Sequence, residues 1–321
     1  AFVYKATMLE FTPITIDTAG TLAEYAAGCY TRSCDYTPGN LVMWARFMDY
    51  KYAIENDTLF ISCKSQSDMQ SEAFLAPIGK MKFKESIPLL QAYCSETGKK
   101  LRLTAVPQEF IEELQEVLPD YACNELENWS DYVYDIQKLA TLQGKALNKK
   151  RNRYNKFITE QPNYIYHRCS DDEINSVVKF LAENRECQHN REDNMRCYEH
   201  WQCMATVRNL LKYKQPAGVL YIDGKIAAFT LGEVFGDTLF VHIEKANHDI
   251  AGASEDQLDA LGQYGELFGA LFQMTDDILD VEGDTTVLGK TVGSDEKAEK
   301  TTMVSIFGIE KCKEMLAEMT E

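Results

Sequence analysis

The stretch AGVLYIDGKIAAFTLGEVFGDTLFVHIEKA, residues 217–246, constrains the fold of this chain more than any other. Asp223-Gly224 separates GVLYI from KIAAFTLGEV. Both turn residues tolerate positive φ, the backbone a two-residue hairpin requires, so the spacing predicts antiparallel strands. Gly236-Asp237 punctuates the next pair in the same way. A single all-helical bundle is therefore excluded for this part of the chain.

The residues before it alternate strand and helix twice. In the first round LEFTPITI (9–16) reads as a strand and TAGTLAEYAAGCY (18–30) as a helix. DYTPGN (35–40) reads as a turn, LVMWARFM (41–48) as a helix, and YKYAIENDTLFISC (50–63) as a strand pair turning at Glu55-Asn56-Asp57. FLAPIG follows, then a helix over 86–98, a strand in LRLTAVP (101–107) and an amphipathic helix in QEFIEELQEVL (108–118). The second round runs from strand-like DYVYDI (131–136) through a basic helix over 138–158. Then come strand YIYHRC (164–169), helices over 172–187 and 200–213, and the meander. The expected fold class is α+β (α/β), two related units with mainly antiparallel sheets.

After Ala253 the strands stop and the charge changes. Residues 254–321 hold 16 acids and 5 Lys/Arg, a net of −11, whereas the whole chain of 321 residues is at −17. That shift marks a boundary near 253. The expected domains are 1–125, 126–253 and 254–321. The tail reads as a helix with Leu261, Tyr264, Phe268, Leu271 and Ile278 at helical spacing, a polar link, and a second helix over 303–319.

The acidic balance argues against a general nucleic-acid surface, DNA included. No apolar run reaches a membrane span. AFVYKATMLEF is not a signal peptide; the patterned chain starts at Leu9, with Met8 as the expected start and residues 1–7 as leader or vector. Ten scattered cysteines without a CxxC read as reduced thiols of a cytoplasmic protein. Cys187, His189, Cys197, His200 and Cys203 match no familiar zinc spacing.

The densest chemistry lies in LFQMTDDILDVEGD, Leu271–Asp284. Asp276 and Asp280 stand one turn apart, about 6 Å along a helix, and Asp277 and Asp280 are i,i+3 neighbours. Like charges so placed repel. A hard divalent cation bridging to phosphate would resolve this, and so would a solvated acidic face; spacing alone does not choose. LGQYGELFGALFQMTDDILDVEGDTTVLGKTVGSDEKAEKTT resembles the trans-polyprenyl diphosphate synthases, the farnesyl and geranylgeranyl diphosphate synthase family. FQMTDDILDVEGD resembles their second aspartate-rich motif. The resemblance implies that Asp276, Asp277 and Asp280 ligate Mg²⁺ on a diphosphate, that Gln273 supports the site and that Lys290 touches the diphosphate. It covers about the last 70 residues. The family's first aspartate-rich motif has no counterpart; the nearest residues, Asp171-Asp172 in CSDDEIN, have no later Asp in register.

YVYDIQKLATLQGKALNKKRNRYNKFI and GVLYIDGKIAAFTLGEVFGDTLFVHIEKANHDIAGA resemble the soluble relatives of the phosphatidylglycerol lysyltransferase C-terminal domain. That resemblance spans Met8–Ala253. It implies tandem acyltransferase folds of the GNAT type, the second cut short here, with CoA or aminoacyl-tRNA as donor and a small-molecule or lipid acceptor. The two resemblances meet over AGA, Ala251–Ala253, as an accidental join would leave them, so the expectation is a chimera. The function expected is acyl or aminoacyl transfer. Isoprenoid diphosphate synthesis and a non-catalytic remnant are the alternatives, and no catalytic residue is assigned.

Two further groups stand out. Lys145, Lys149, Arg153 and Lys156 follow an i, i+4, i+8, i+11 spacing. A solvated face is the bland reading; phosphates of tRNA, CoA or an anionic lipid are what the second resemblance favours. Glu233 and Glu244 flank His242 on the meander. Such acids invite acid–base work, although an outward position on an alternating strand is the commoner outcome.

Overall fold

The hairpin forms at Asp223-Gly224, both with positive φ, 49° and 74°. The computed structural model describes residues 9–29, 31–183, 194–209, 215–235, 238–247 and 309–310. The chain divides into two units, Ala1–Tyr132 and Val133–Glu321.

The first unit contains β1 (Thr12–Pro13), α1 (Ala19–Ala26), α2 (Pro38–Met43), α3 (Ala45–Met48), β2 (Lys51–Glu55), β3 (Thr58–Lys64), β4 (Glu72–Phe74), β5 (Ile78–Gly79), α4 (Phe83–Glu96) and α5 (Ile111–Val117). Its sheet is antiparallel in the order β1-β2-β3-β4, with β5 also on β3. The β2–β3 turn is narrower than the sequence predicts: Glu55 pairs with Thr58, and Asn56 and Asp57 alone turn the chain at φ 48° and 52°. DYTPGN is not a turn but a helix start. The Thr37 side chain accepts the Asn40 N–H, and Pro38 occupies the first helical position, where its missing N–H costs nothing. LVMWARFM breaks into α2 and α3 at Trp44, whose ψ of 3° is not helical. LRLTAVP shrinks to one parallel bridge, Leu103 to Phe74, because Ala105 leaves the extended region at φ 49°. The core sets Ala53, Phe60 and Phe74 of the sheet against Ile87, Leu90 and Cys94 of α4 and Leu114 of α5.

The second unit contains α6 (Ile136–Thr141), α7 (Asn148–Glu160), β6 (Ile165–Arg168), α8 (Ile174–Glu183), α9 (Asn194–Arg208), β7 (Ala217–Ile222), β8 (Lys225–Phe235) and β9 (Thr238–Ala246). Its sheet is antiparallel in the order β6-β7-β8-β9. DYVYDI is no strand; Asp135 instead caps α6 by accepting the Lys138 N–H at 3.0 Å. The long basic helix breaks where Leu142 and Gly144 take positive φ, 50° and 95°. Phe157 of α7 is buried with Leu220, Ile222, Ala227 and Ala228 of the sheet. On α8, Val177, Phe180 and Leu181 are buried, and on α9 Cys203, Met204 and Val207.

Both units run strand, helices, then three antiparallel strands: β1, α1–α3, β2–β4 in the first and β6, α8–α9, β7–β9 in the second. Among the described residues no helix is long and apolar enough to cross a membrane. The first expected tail helix, all of the second but Ile309 and Glu310, Gln273, Asp276, Asp277, Asp280, Lys290, the Gly236-Asp237 turn, and Cys187 and His189 lie outside the described residues.

Candidate functional site

The basic face is built on α7. Phe157 anchors the helix to the sheet, which leaves Lys149 and Lys156 exposed and Arg153 half-buried. Lys145 is exposed too, but it lies in a separate 3₁₀ turn over Lys145–Leu147, so one continuous helix carries only the last three cations. Lys145 and Lys149 make no ion pair among the described residues, while Lys156 approaches Glu160 at 3.8 Å. Arg151 is spent internally, on the Leu142 carbonyl at 2.7 Å and on Asn148 Oδ1. No acid occupies the first turn of α7. Lys149 and Lys150 there oppose the helix dipole, and an anion beside them would relieve that opposition.

A second polar centre sits at the β8–β9 pairing. The register steps from Leu231↔Ile243 to Gly232↔Val241, which makes His242 the extra residue of a β-bulge. The bulge corrects the outward position expected from strict alternation. His242 Nε2 lies 3.0 Å from Glu233 Oε2, with the two side chains only 5% and 13% exposed. Glu244 alone stays exposed. Gly232 makes the close approach possible, since a Cβ there would sit 2.7 Å from the Phe240 carbonyl oxygen. One turn of sheet further, Lys245 pairs with Glu199 of α9 at 2.8 Å.

The sequence reading missed a third group. Glu173 Oε1 accepts from Tyr221 Oη at 2.7 Å and lies 2.9 Å from His167 Nε2; Oε2 accepts the Ser170 N–H at 2.9 Å and the Ser170 hydroxyl at 2.8 Å. His167 stacks on Tyr221 with centroids 5.5 Å apart. Burial raises the Glu173 carboxyl, but the bonds from Ser170, Tyr221 and His167 outweigh it and hold the pKa at about 2. Burial and the same carboxylate push Tyr221 to about 12. The signal was present as Ser170-x-x-Glu173, a capping box at the start of α8. Asp171 and Asp172 belong to that helix start, where acids favour the dipole. Among the described residues no cluster of three or more His, Cys, Asp or Glu could hold a metal ion.

In the first unit Asp131 Oδ2 accepts the Cys34 N–H at 2.9 Å and Oδ1 the thiol at 3.2 Å. Beside it, burial and then the Asp131 charge push the Asp35 carboxyl up to about 6, against weak bonds from Gln66 at 3.4 and 3.5 Å. The folded state therefore binds a proton the unfolded chain releases at an ordinary 3.8. The associated stability is full below that value and lost as pH rises through about 6. Asp35→Asn should thus stabilise the unit by roughly 1–2 kcal/mol at pH 7, and by much less near pH 4, in urea titrations. An equal effect at both pH values would show that the carboxyl is not held protonated.

The sequence profile described as "phosphatidylglycerol lysyltransferase, C-terminal" matches residues 28–256. The chain belongs to this lysyltransferase C-terminal family. A polyprenyl synthetase profile matches residues 236–321, so the two overlap over 236–256, around the shared AGA. This member therefore carries a polyprenyl synthase fragment. A conserved protein of unknown function from Bacteroides thetaiotaomicron VPI-5482 has a similar structure, with a TM-score of 0.72 and 26% identity over 81% of this chain and 86% of that one. The chloroplastic geranylfarnesyl diphosphate synthase of Leucosceptrum canum is 44% identical over 70 residues, 22% of this chain and 19% of that protein. The farnesyl diphosphate synthase of Micrococcus luteus is 36% identical over 108 residues, 30% and 36% respectively. This lysyltransferase-family chain thus spans about a fifth to a third of the length of those two synthases.

Proposed function

We propose that the chain transfers an acyl or aminoacyl group from a phosphate-bearing carrier, a CoA thioester or an aminoacyl-tRNA, to a small-molecule or lipid acceptor. The observation that carries this reading is the lysyltransferase-family match over residues 28–256. In such a transfer the acceptor oxygen or nitrogen bonds to the acyl carbon, the carrier's oxygen or sulfur leaves, and the acceptor's proton ends on the leaving atom. The repeated strand, helices and three strands support tandem GNAT-type units, the second lacking its closing segments; scattered cysteines without a CxxC suit a cytoplasmic protein. The face of Lys145, Lys149, Arg153 and Lys156 binds the phosphates.

The polyprenyl synthetase match supports a second, subsidiary reading for the tail. Asp276, Asp277 and Asp280 offer the hard oxygen donors that Mg²⁺ takes, with Gln273 beside them and Lys290 on a diphosphate. Mg²⁺ there would neutralise phosphate charge.

The test is transfer of a labelled aminoacyl or acyl group from lysyl-tRNA or an acyl-CoA to phosphatidylglycerol vesicles by the full chain. Lys149→Glu with Arg153→Glu should weaken phosphate-ligand binding about tenfold at low salt, and the deficit should shrink as salt rises. Unchanged affinity at low salt would leave α7 a solvated face.

A further inference from the structure

The pair of His242 and Glu233 has no part in holding phosphate, and its surroundings give it another use. Alternation along β8 carries Phe229 and Leu231 into the core and puts Glu233 next in that line. An acid thus stands where a third apolar side chain would pack. The bulge brings His242 to it, Nε2 to Oε2 at 3.0 Å. A carboxylate only accepts, so the shared hydrogen sits on Nε2 and Nδ1 keeps its lone pair. That nitrogen makes no hydrogen bond among the described residues, and it is not sealed from solvent. Gln215 is a second, independent sign. The β7–β8 pairing runs on past the strand end, because the Gly232 N–H donates to the Pro216 carbonyl at 3.0 Å. Gln215 stands two residues before Ala217, the partner of Leu231, and Glu233 stands two residues after Leu231. Gln215 and Glu233 therefore belong to one row and one face of the sheet. Gln215 is 8% exposed, and its Oε1 is buried without a hydrogen-bond partner among the described residues. Such a carbonyl is costly, and an incoming O–H or N–H removes the cost. One end of the sheet thus holds an oriented imidazole with a lone pair to offer and an amide oxygen that lacks a hydrogen.

We infer that His242 is the base of the transfer and that Gln215 holds the acceptor beside it, an alcohol or amine carrying a second polar hydrogen. The inference rests on the acyl-transfer reading and assigns the residues of its chemistry. Nδ1 takes the proton of the acceptor O–H or N–H as that oxygen or nitrogen bonds to the acyl carbon. The bond from the acyl carbon to the carrier's oxygen or sulfur then breaks, and the imidazolium returns the proton to the leaving atom. No charge or hydrogen is left over. Glu233 is a positioning residue: it fixes the tautomer and steadies the imidazolium that forms. The low exposure of the pair limits the water that could compete as nucleophile.

Transfer from labelled lysyl-tRNA or an acyl-CoA to phosphatidylglycerol vesicles is measured with the full chain and with His242→Gln, Glu233→Gln and Gln215→Leu. His242→Gln should lower kcat at least about a hundredfold with little change in the acceptor KM. Imidazole added to His242→Ala should restore part of the rate, which a merely structural histidine would not allow. Glu233→Gln can turn its NH₂ to Nε2, which moves the ring hydrogen to Nδ1, so kcat should fall about tenfold or more. Gln215→Leu should raise the acceptor KM several-fold without loss of stability in urea, because it removes an unpaired group and no bond. Should His242→Gln or His242→Ala fail to fold, Glu233→Gln, which keeps the shape of the side chain, still decides. Full activity in a folded variant of either residue, or losses that follow stability with no response to imidazole, would overturn the role. Transfer that survives these changes removes the role alone; no transfer by the parent chain removes the reaction and the role together.

Discussion

Gly79→Ala is expected to cost the first unit at least about 3 kcal/mol, the sum of backbone strain and overpacking. Gly79 pairs with Thr58 where β5 meets β3, at φ 142°, a conformation side chains avoid. A Cβ there would lie 2.4 Å from the Asp57 carbonyl oxygen and 2.6 Å from Thr58 Cα. Both are backbone atoms, and both are committed. Asp57 turns the β2–β3 hairpin at φ 52°, and its carbonyl accepts the Lys80 N–H at 3.0 Å. Neither can retreat without opening the hairpin. Gly98 is the control: its φ is 69°, but nothing lies within 4 Å of a Cβ, so alanine there should cost only about 1 kcal/mol. Urea titration of both variants measures the difference. Equal losses would mean that the close approach at Gly79 carries no stability.

The second large effect is an absence of turnover. Labelled isopentenyl diphosphate, given with an allylic diphosphate and Mg²⁺, should yield no longer product from this chain. The rate should fall at least about a thousandfold below that of a complete synthase, because positioning two diphosphates is itself worth that much. The tail supplies one aspartate-rich segment, Asp276 to Asp280. The only earlier Asp-Asp near such a pattern, Asp171-Asp172, starts α8 in a unit built on an antiparallel sheet. Radiolabel in a longer prenyl chain would refute this and make the tail a working site.

The sequence showed best where one rule governed the backbone. Asp223-Gly224 had to turn, and it does. Alternation failed where a bulge intervened: no residue type announces the step that makes His242 an extra residue, and its approach to Glu233 depends on pairing with a strand several residues away. DYTPGN misled because Thr37-Pro38 suits a helix start as well as a turn, and only the Asn40 N–H reaching Thr37 decides. The basic face was legible as a spacing. Its interruption was not, since Leu142 carries no sign that it will take φ 50° and end α6, and nothing local shows that Lys145 will fall in a 3₁₀ turn ahead of α7. In the Glu173 cluster the Ser170-x-x-Glu173 box was a local pattern, but Tyr221, 48 positions from Glu173, was out of its reach.

In both sheets most neighbouring strands are also neighbours in the chain, β1-β2-β3-β4 in one and β7-β8-β9 in the other. Short loops of chain therefore close most of each sheet, which favours rapid folding. During synthesis the first unit has every strand of its sheet, and the Leu103 bridge, before any strand of the second is made. Whatever follows residue 253 arrives after that half of the molecule has had the means to fold. A change of ancestry late in the chain is thus shielded from the earliest folding events.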